Sequence, residues 1–165
     1  MTGVQTCALP ICHAIIAALL KHSDPVHKIT IVPRTMGALG YTMQLPTEEK
    51  FLSTKEEMLD QITVMLAGRA AEEVEFNTIS TGAANDIERA TQSARSMITI
   101  YGMSEKFDMM ALETIQNPYL DGRAVQNCSA ATSTIIDEET LKIIKTAHAR
   151  ALSILSQNRE LLTHI

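Results

Sequence analysis

Three stretches repeat apolar side chains every three to four residues, and that period leaves the chain few choices of fold. The first carries Met58, Leu59, Ile62, Met65 and Leu66; the second Ile87, Ala90, Ala94, Met97, Ile98 and Tyr101; the third Ile136, Ile143, Ile144, Ala147, Leu152 and Leu155. Such spacing lays one apolar stripe along a helix, and a stripe has to be buried against another element. Helices are therefore predicted over roughly 54–66, 83–101 and 136–155. Ser53, Thr54 and Glu56 supply a capping-box pattern at the start of the first. Gly68, Ala70 and Ala71 continue it with small residues that let a neighbouring helix come close. Gly102 ends the second helix, Gln157 and Asn158 end the third, and another begins before Ile165. A hairpin precedes them: residues 26–32 are β-branched and roughly alternating up to Pro33, Gly37 and Gly40 bracket a turn, and 41–45 form a second strand before Pro46. Segment 103–122 reads mostly as loop, with Met103, Met109 and Met110 as core fillers. The fold class is mainly α (α+β), a helical domain with a small β-hairpin near the N-terminus.

Composition narrows the function. At 165 residues and 45% hydrophobic content, one compact domain with an adequate core is expected. The 14 basic and 19 acidic residues give a net charge of −5 without a basic block, which excludes nucleic acid as a partner. The longest apolar run, residues 14–20, falls short of the roughly 20 residues that cross a bilayer. The N-terminus has no basic region of a cleavable signal peptide, so the piece is expected to be soluble. Cys7, Cys12 and Cys128 form neither an even disulfide framework nor a zinc knuckle, which suits a reducing compartment. No GxxxxGK[ST] pattern occurs, so no ATPase module lies within the chain.

Residues 81–91, Thr-Gly-Ala-Ala-Asn-Asp-Ile-Glu-Arg-Ala-Thr, concentrate the candidate chemistry. Thr81 and Gly82 are turn formers. Asn85 and Asp86 stand where a long helix begins, where polar side chains satisfy free N–H groups and a carboxylate suits the dipole. Asp86 can serve as such a cap, or it can be a metal ligand with His13 as its distant partner. His22 and His27, near helix and strand ends, read as solvated.

Several motifs in one order carry a family resemblance. They are His13-Ala14-Ile15; Asp24-Pro25-Val26-His27-Lys28-Ile29-Thr30-Ile31-Val32-Pro33-Arg34; Ala38-Leu39-Gly40-Tyr41-Thr42; Ala67-Gly68-Arg69-Ala70-Ala71-Glu72-Glu73; the run 81–91; and Tyr101-Gly102-Met103-Ser104-Glu105-Lys106. Together they resemble the peptidase domain of the FtsH family (M41), membrane-bound ATP-dependent zinc proteases. The likeness runs from about His13 to the C-terminus.

The resemblance implies a zinc endopeptidase in which two His of a helical HExxH motif and a later Asp hold the metal, while the motif Glu is the general base. His13 aligns with the second His and Asp86 with the Asp, so both are the expected zinc ligands. Glu72 and Glu73 are alternatives, because many HExxH enzymes take a downstream Glu; the resemblance favours Asp86. Leu9 stands where the first His belongs and Pro10 where the catalytic Glu belongs. Leu has no lone pair to offer, and Pro has neither carboxylate nor backbone N–H. Because Pro is tolerated only in a first turn, the helix is expected to run from about Pro10 to Lys21.

Residues 1–12 do not resemble the family and read as an unrelated peptide of the kind left by translated sequencing-adapter DNA. The remainder, 13–165, reads as a partial M41-like peptidase domain with both ends truncated. The expected parent is a homo-hexamer at the cytoplasmic face of a membrane. Its separate ATPase domain uses ATP to feed unfolded or membrane polypeptides to the peptidase chamber. The chain as written is expected to be inactive, and the alternative is a non-catalytic M41-like assembly or scaffold module. The strand at 41–45 lies near the cleft in the family, and its edge is expected to pair with substrate.

Overall fold

The computed structural model describes residues 3–30, 41–44, 52–115 and 124–163. Helix α1 (Gly3–Leu19) leads into β1 (Val26–Thr30) and β2 (Tyr41–Gln44). Then follow α2 (Lys55–Met65), α3 (Ala67–Ala71), a π-helical turn (Glu72–Phe76), a 3-10 turn (Thr81–Ala83) and α4 (Ala84–Thr99). The chain continues through β3 (Glu113–Ile115), β4 (Ala124–Gln126), α5 (Ala130–Gln157) and α6 (Arg159–Thr163). Helices dominate, and β1 and β2 form the expected antiparallel hairpin sheet near the N-terminus. The predicted strand ends at 31–32 and 45, and the turn glycines Gly37 and Gly40, lie outside the described residues.

The core has three connected parts. Cys12, Ile15, Ile16 and Ala17 of α1, with Leu20 just after it, pack on Ala67, Ala70 and Ala71 of α3 and on Ala151 and Leu155 of α5. Ile62 and Leu66 meet Ala90, Ala94 and Met97 of α4 and Ala147 of α5. Ile98, Leu112 and Ile136 close the far end. The predicted stripes supply every residue named in the second part and Ile98 and Ile136 in the third, because helical periodicity and burial are the same signal read twice.

Local chemistry shifts several boundaries. The capping box at α2 is one residue later than predicted: Thr54 Oγ1 accepts from the Glu57 N–H, and Glu57 Oε2 accepts from the Thr54 N–H. Helix α5 starts six residues before the predicted Ile136, because Ser129 Oγ accepts from the Thr132 N–H and caps it. Helix α1 does not begin at Pro10 but at Gly3, with Pro10 inside it. The segment after α4 holds a second antiparallel hairpin, β3 with β4, in place of loop. Tyr101, placed on the buried stripe, is 56% exposed, and Met109 and Met110 are exposed as well. The cause is Gly102, whose left-handed backbone (φ +61°) turns the chain out of α4 after Ile100; the Met103 N–H then returns to the Met97 carbonyl at 2.8 Å. Of the three methionines only Met103 packs against the core.

One buried carboxylate ties three elements together. Asp60 on α2, 2% exposed, accepts from the His22 backbone N–H at 3.1 Å, just beyond α1, and from Arg150 Nη1 on α5. Removing either partner is asymmetric, since Arg150 is half exposed and can return to water whereas Asp60 cannot. We predict that Arg150→Met lowers the unfolding free energy by about 3 kcal/mol, and Asp60→Asn by less, in denaturant titrations. Equal costs would show that the buried charge does not depend on Arg150.

Candidate metal centre

His13 lies in the middle of α1, one residue after the fully buried Cys12. Asp86 is the third residue of α4, at the end where the helix dipole favours an anion. Both helices pack on α2 and α5, which brings His13 Nε2 to 3.4 Å from Asp86 Oδ2, both side chains partly exposed. The pair is 73 positions apart in the chain, so tertiary structure alone creates the contact. Asp86 does not cap: α4 begins at Ala84, its N-cap position is Ala83 without a side-chain cap, and the capping hydroxyl upstream is that of Ser80.

The separation has chemical meaning. A good N–H···O bond spans about 2.7–3.2 Å, so 3.4 Å is long for one. Zinc at about 2.0–2.1 Å from N and O donors puts neighbouring tetrahedral ligands about 3.3 Å apart. His13 Nε2 and Asp86 Oδ2 thus fit two positions of a zinc site in donor type and in spacing. They do not complete one, because catalytic zinc takes three protein ligands and, among the described residues, no group of three His, Cys, Asp or Glu side chains converges. The Leu9 and Pro10 positions contribute no donor.

Glu72 and Glu73, the alternative ligands, point elsewhere. Glu72 is not a solvated helix-tail charge but is 7% exposed, accepting from the Ser80 N–H at 3.0 Å and from the Ser80 hydroxyl, with Arg69 Nη1 at 3.4 Å. Glu73 Oε1 lies 3.3 Å from His148 Nε2 on α5. Both carboxylates sit in the π-helical turn, and as successive residues they leave it on different sides, Glu72 towards Ser80 and Glu73 towards α5. His22 and His27 are exposed, as expected. Reasoning from sequence missed Ser80 and Arg69; a Ser just ahead of Thr81 and Gly82 is the only signal that pointed there.

Strand β2 is seated beside the same turn of α1, where the Thr42 hydroxyl donates to the Pro10 carbonyl at 2.6 Å. Cys12, next to His13, is sealed: burial, followed by the nearby Glu75 charge, pushes its thiol from 9.0 up to about 12. A folded pKa above the unfolded one gives stability that is complete below about pH 9 and is lost as pH rises towards about 12. We predict that native Cys12 resists alkylation at pH 8 and that Cys12→Ala flattens the loss of stability between these values. Rapid labelling of Cys12 in the folded chain would contradict its burial.

Comparison with known proteins places the chain in a family. Residues 11–165 match the family model described as Peptidase family M41. The chain is 72% identical over 153 residues to an ATP-dependent zinc metalloprotease FtsH of Clostridium perfringens, covering 93% of this chain and 21% of that protein. It is 50% identical over 147 residues to the protein of the same name from Lancefieldella parvula, covering 89% and 23%, and 45% identical over 157 residues to FtsH 4 of a Synechocystis strain, covering 93% and 25%. The chain spans about a fifth to a quarter of the length of these relatives. With a family match over nearly its whole length and a high level of identity, this chain belongs to peptidase family M41.

Proposed function

We propose that the chain is the peptidase portion of an ATP-dependent zinc metalloendopeptidase, with His13 and Asp86 as two of its zinc ligands and its own catalytic apparatus incomplete. The observation that carries this reading is the 3.4 Å approach of His13 Nε2 to Asp86 Oδ2 from helices otherwise distant in sequence. The names of the relatives, ATP-dependent zinc metalloproteases, support the metal and the reaction class. Zinc in such a centre supplies Lewis acidity and a nucleophilic water at neutral pH. This chain's residues offer one nitrogen and one oxygen donor, no third ligand, and at Pro10 no carboxylate to take a proton. Loss of a general base alone removes about 10² to 10⁴ in rate, and with a third zinc ligand missing as well the chain as written is inactive or nearly so.

In the parent, an ATPase domain of the same polypeptide drives polypeptide substrates to this domain, within a homo-hexamer at the cytoplasmic face of a membrane. No helix among the described residues is long and apolar enough to cross a membrane. Substrate binding falls to β2, which pairs with β1 along one edge and is held against α1 through Thr42. An extended peptide added at such an edge is recognised through main-chain hydrogen bonds and hence with little sequence preference. Amide exchange at 41–44 should slow when an unfolded peptide is added; unchanged exchange under saturating peptide removes this assignment.

A second reading, a non-catalytic assembly module, has one observation in its favour. Helix α1 runs unbroken from Gly3 into the part that matches the family, and Pro10 and Cys12 are buried against the body of the domain. One pair of experiments separates the readings. Zinc should raise the melting temperature of the chain as written very little, and the double substitution Leu9→His with Pro10→Glu should confer stoichiometric zinc binding by calorimetry. A folded double variant that binds no zinc would eliminate the proposed ligand set and leave the assembly role.

A further inference from the structure

Every polar group of Ser80 is engaged. Its backbone N–H donates to Glu72 Oε2 at 3.0 Å, its hydroxyl donates to Glu72 Oε1, and its carbonyl accepts from Arg69 Nη2 at 3.0 Å. The same hydroxyl oxygen accepts from the Gly82 N–H at 3.1 Å and so caps the 3-10 turn that leads into α4. Glu72 is nearly buried, and Arg69 and Glu72 are both partly tied to each other at 3.4 Å, so the jaws that grip Ser80 are anchored in the body of the domain. They belong to α3 and the π-helical turn, and α3 packs directly on α1, the helix that carries His13.

Five residues separate Ser80 from Asp86, and all of that path is helical: Thr81–Ala83 as a 3-10 turn, bonded through the Ala84 N–H to the Thr81 carbonyl, then α4. A short helical path transmits position with little slack. Helix α4 itself has no side-chain cap at Ala83. Its first turn therefore depends on what lies just upstream, and that is Ser80. The consequence is a mechanical connection from the α1–α3 contact, through Arg69 and Glu72, to Ser80 and on to the Asp86 carboxylate.

We propose that Ser80, gripped by Glu72 and Arg69, is the positioning residue that sets Asp86 opposite His13. This rests on the reading of His13 and Asp86 as ligands of one site, but the placement of α4 can be tested apart from it. A purely local loop clamp would stabilise residues 77–82 and leave Asp86 untouched. A positioning residue has to be felt at Asp86 while the rest of the fold is unchanged.

The first test is amide exchange in the full chain. Ser80→Ala should speed exchange at Ala84, Ile87 and Glu88 by about tenfold, as expected for loss of a helix-start hydrogen bond, with α2 and α5 unaffected. Ser80→Thr, which keeps the hydroxyl, should restore the original rates. Should Ser80→Ala unfold the chain, Arg69→Met removes the carbonyl contact together with the Arg69–Glu72 ion pair, leaves both Ser80–Glu72 hydrogen bonds in place, and is read at the same amides. Unchanged rates in a folded variant overturn the proposal. The second test places Ser80→Ala in the Leu9→His, Pro10→Glu background. The zinc Kd should weaken by about 10- to 100-fold at constant melting temperature, as for other residues that orient a metal ligand, and Ser80→Thr should recover it. Zinc binding by that background without sensitivity to Ser80→Ala overturns the positioning role. A background that binds no zinc removes the metal reading instead, and the exchange rates still decide whether Ser80 places Asp86.

Discussion

Close approach of helices through alanine is the constraint on which the rest of this domain depends. Ala67, Ala70 and Ala71 of α3 are fully buried against α1 and α5, in one cluster with Ala17 and Ala151. A larger side chain at these positions would push α1 outward, and overpacking of a filled core costs about 1–3 kcal/mol. More follows from the geometry than stability. Helix α1 carries His13, and α3 carries Arg69 and leads into Glu72, so the alanine contact fixes the frame in which the candidate site is assembled.

Polar groups then lock that frame at points where apolar packing alone would allow sliding. Asp60 ties the segment after α1 to α2 and α5. Arg95 ties α4 to both its far neighbours, donating through Nε to Glu113 at 3.0 Å and through Nη1 to Asp137 at 2.7 Å. Burial lowers the Arg95 pKa, but those hydrogen bonds and charges outweigh it, and the guanidinium stays charged. The Ser80 grip acts at the other end of α4. Directional bonds at both ends of one helix specify its axial position, which non-directional hydrophobic contact leaves loose.

Much of this was legible in the chain before any fold was known. The stripes from Met58 to Leu66, Ile87 to Ile98 and Ile136 to Leu155 are helices with those residues inside, and the first hairpin stands where β-branched alternation put it. The departures have separate physical causes. Tyr101 and the β3–β4 hairpin depend on the direction the chain takes after Gly102, and short strands with three residues each carry too little pattern to be seen alone. The start of α1 was misjudged because Pro10 looked like a first-turn residue, whereas the helix accommodates it internally.

At the site the division is sharper. The identities of the donors, the absence of lone pairs at Leu9 and the absence of a carboxylate at Pro10 are properties of side-chain chemistry and are determined by the sequence alone. So is the family, since ordered motifs survive in the linear chain. That Asp86 faces His13 and does not cap α4, that Glu72 turns to Ser80 and Glu73 to His148, was decided only by tertiary structure. Carboxylates on successive residues are chemically equivalent on paper; the π-helical turn and the helices packed around it give each a different neighbour.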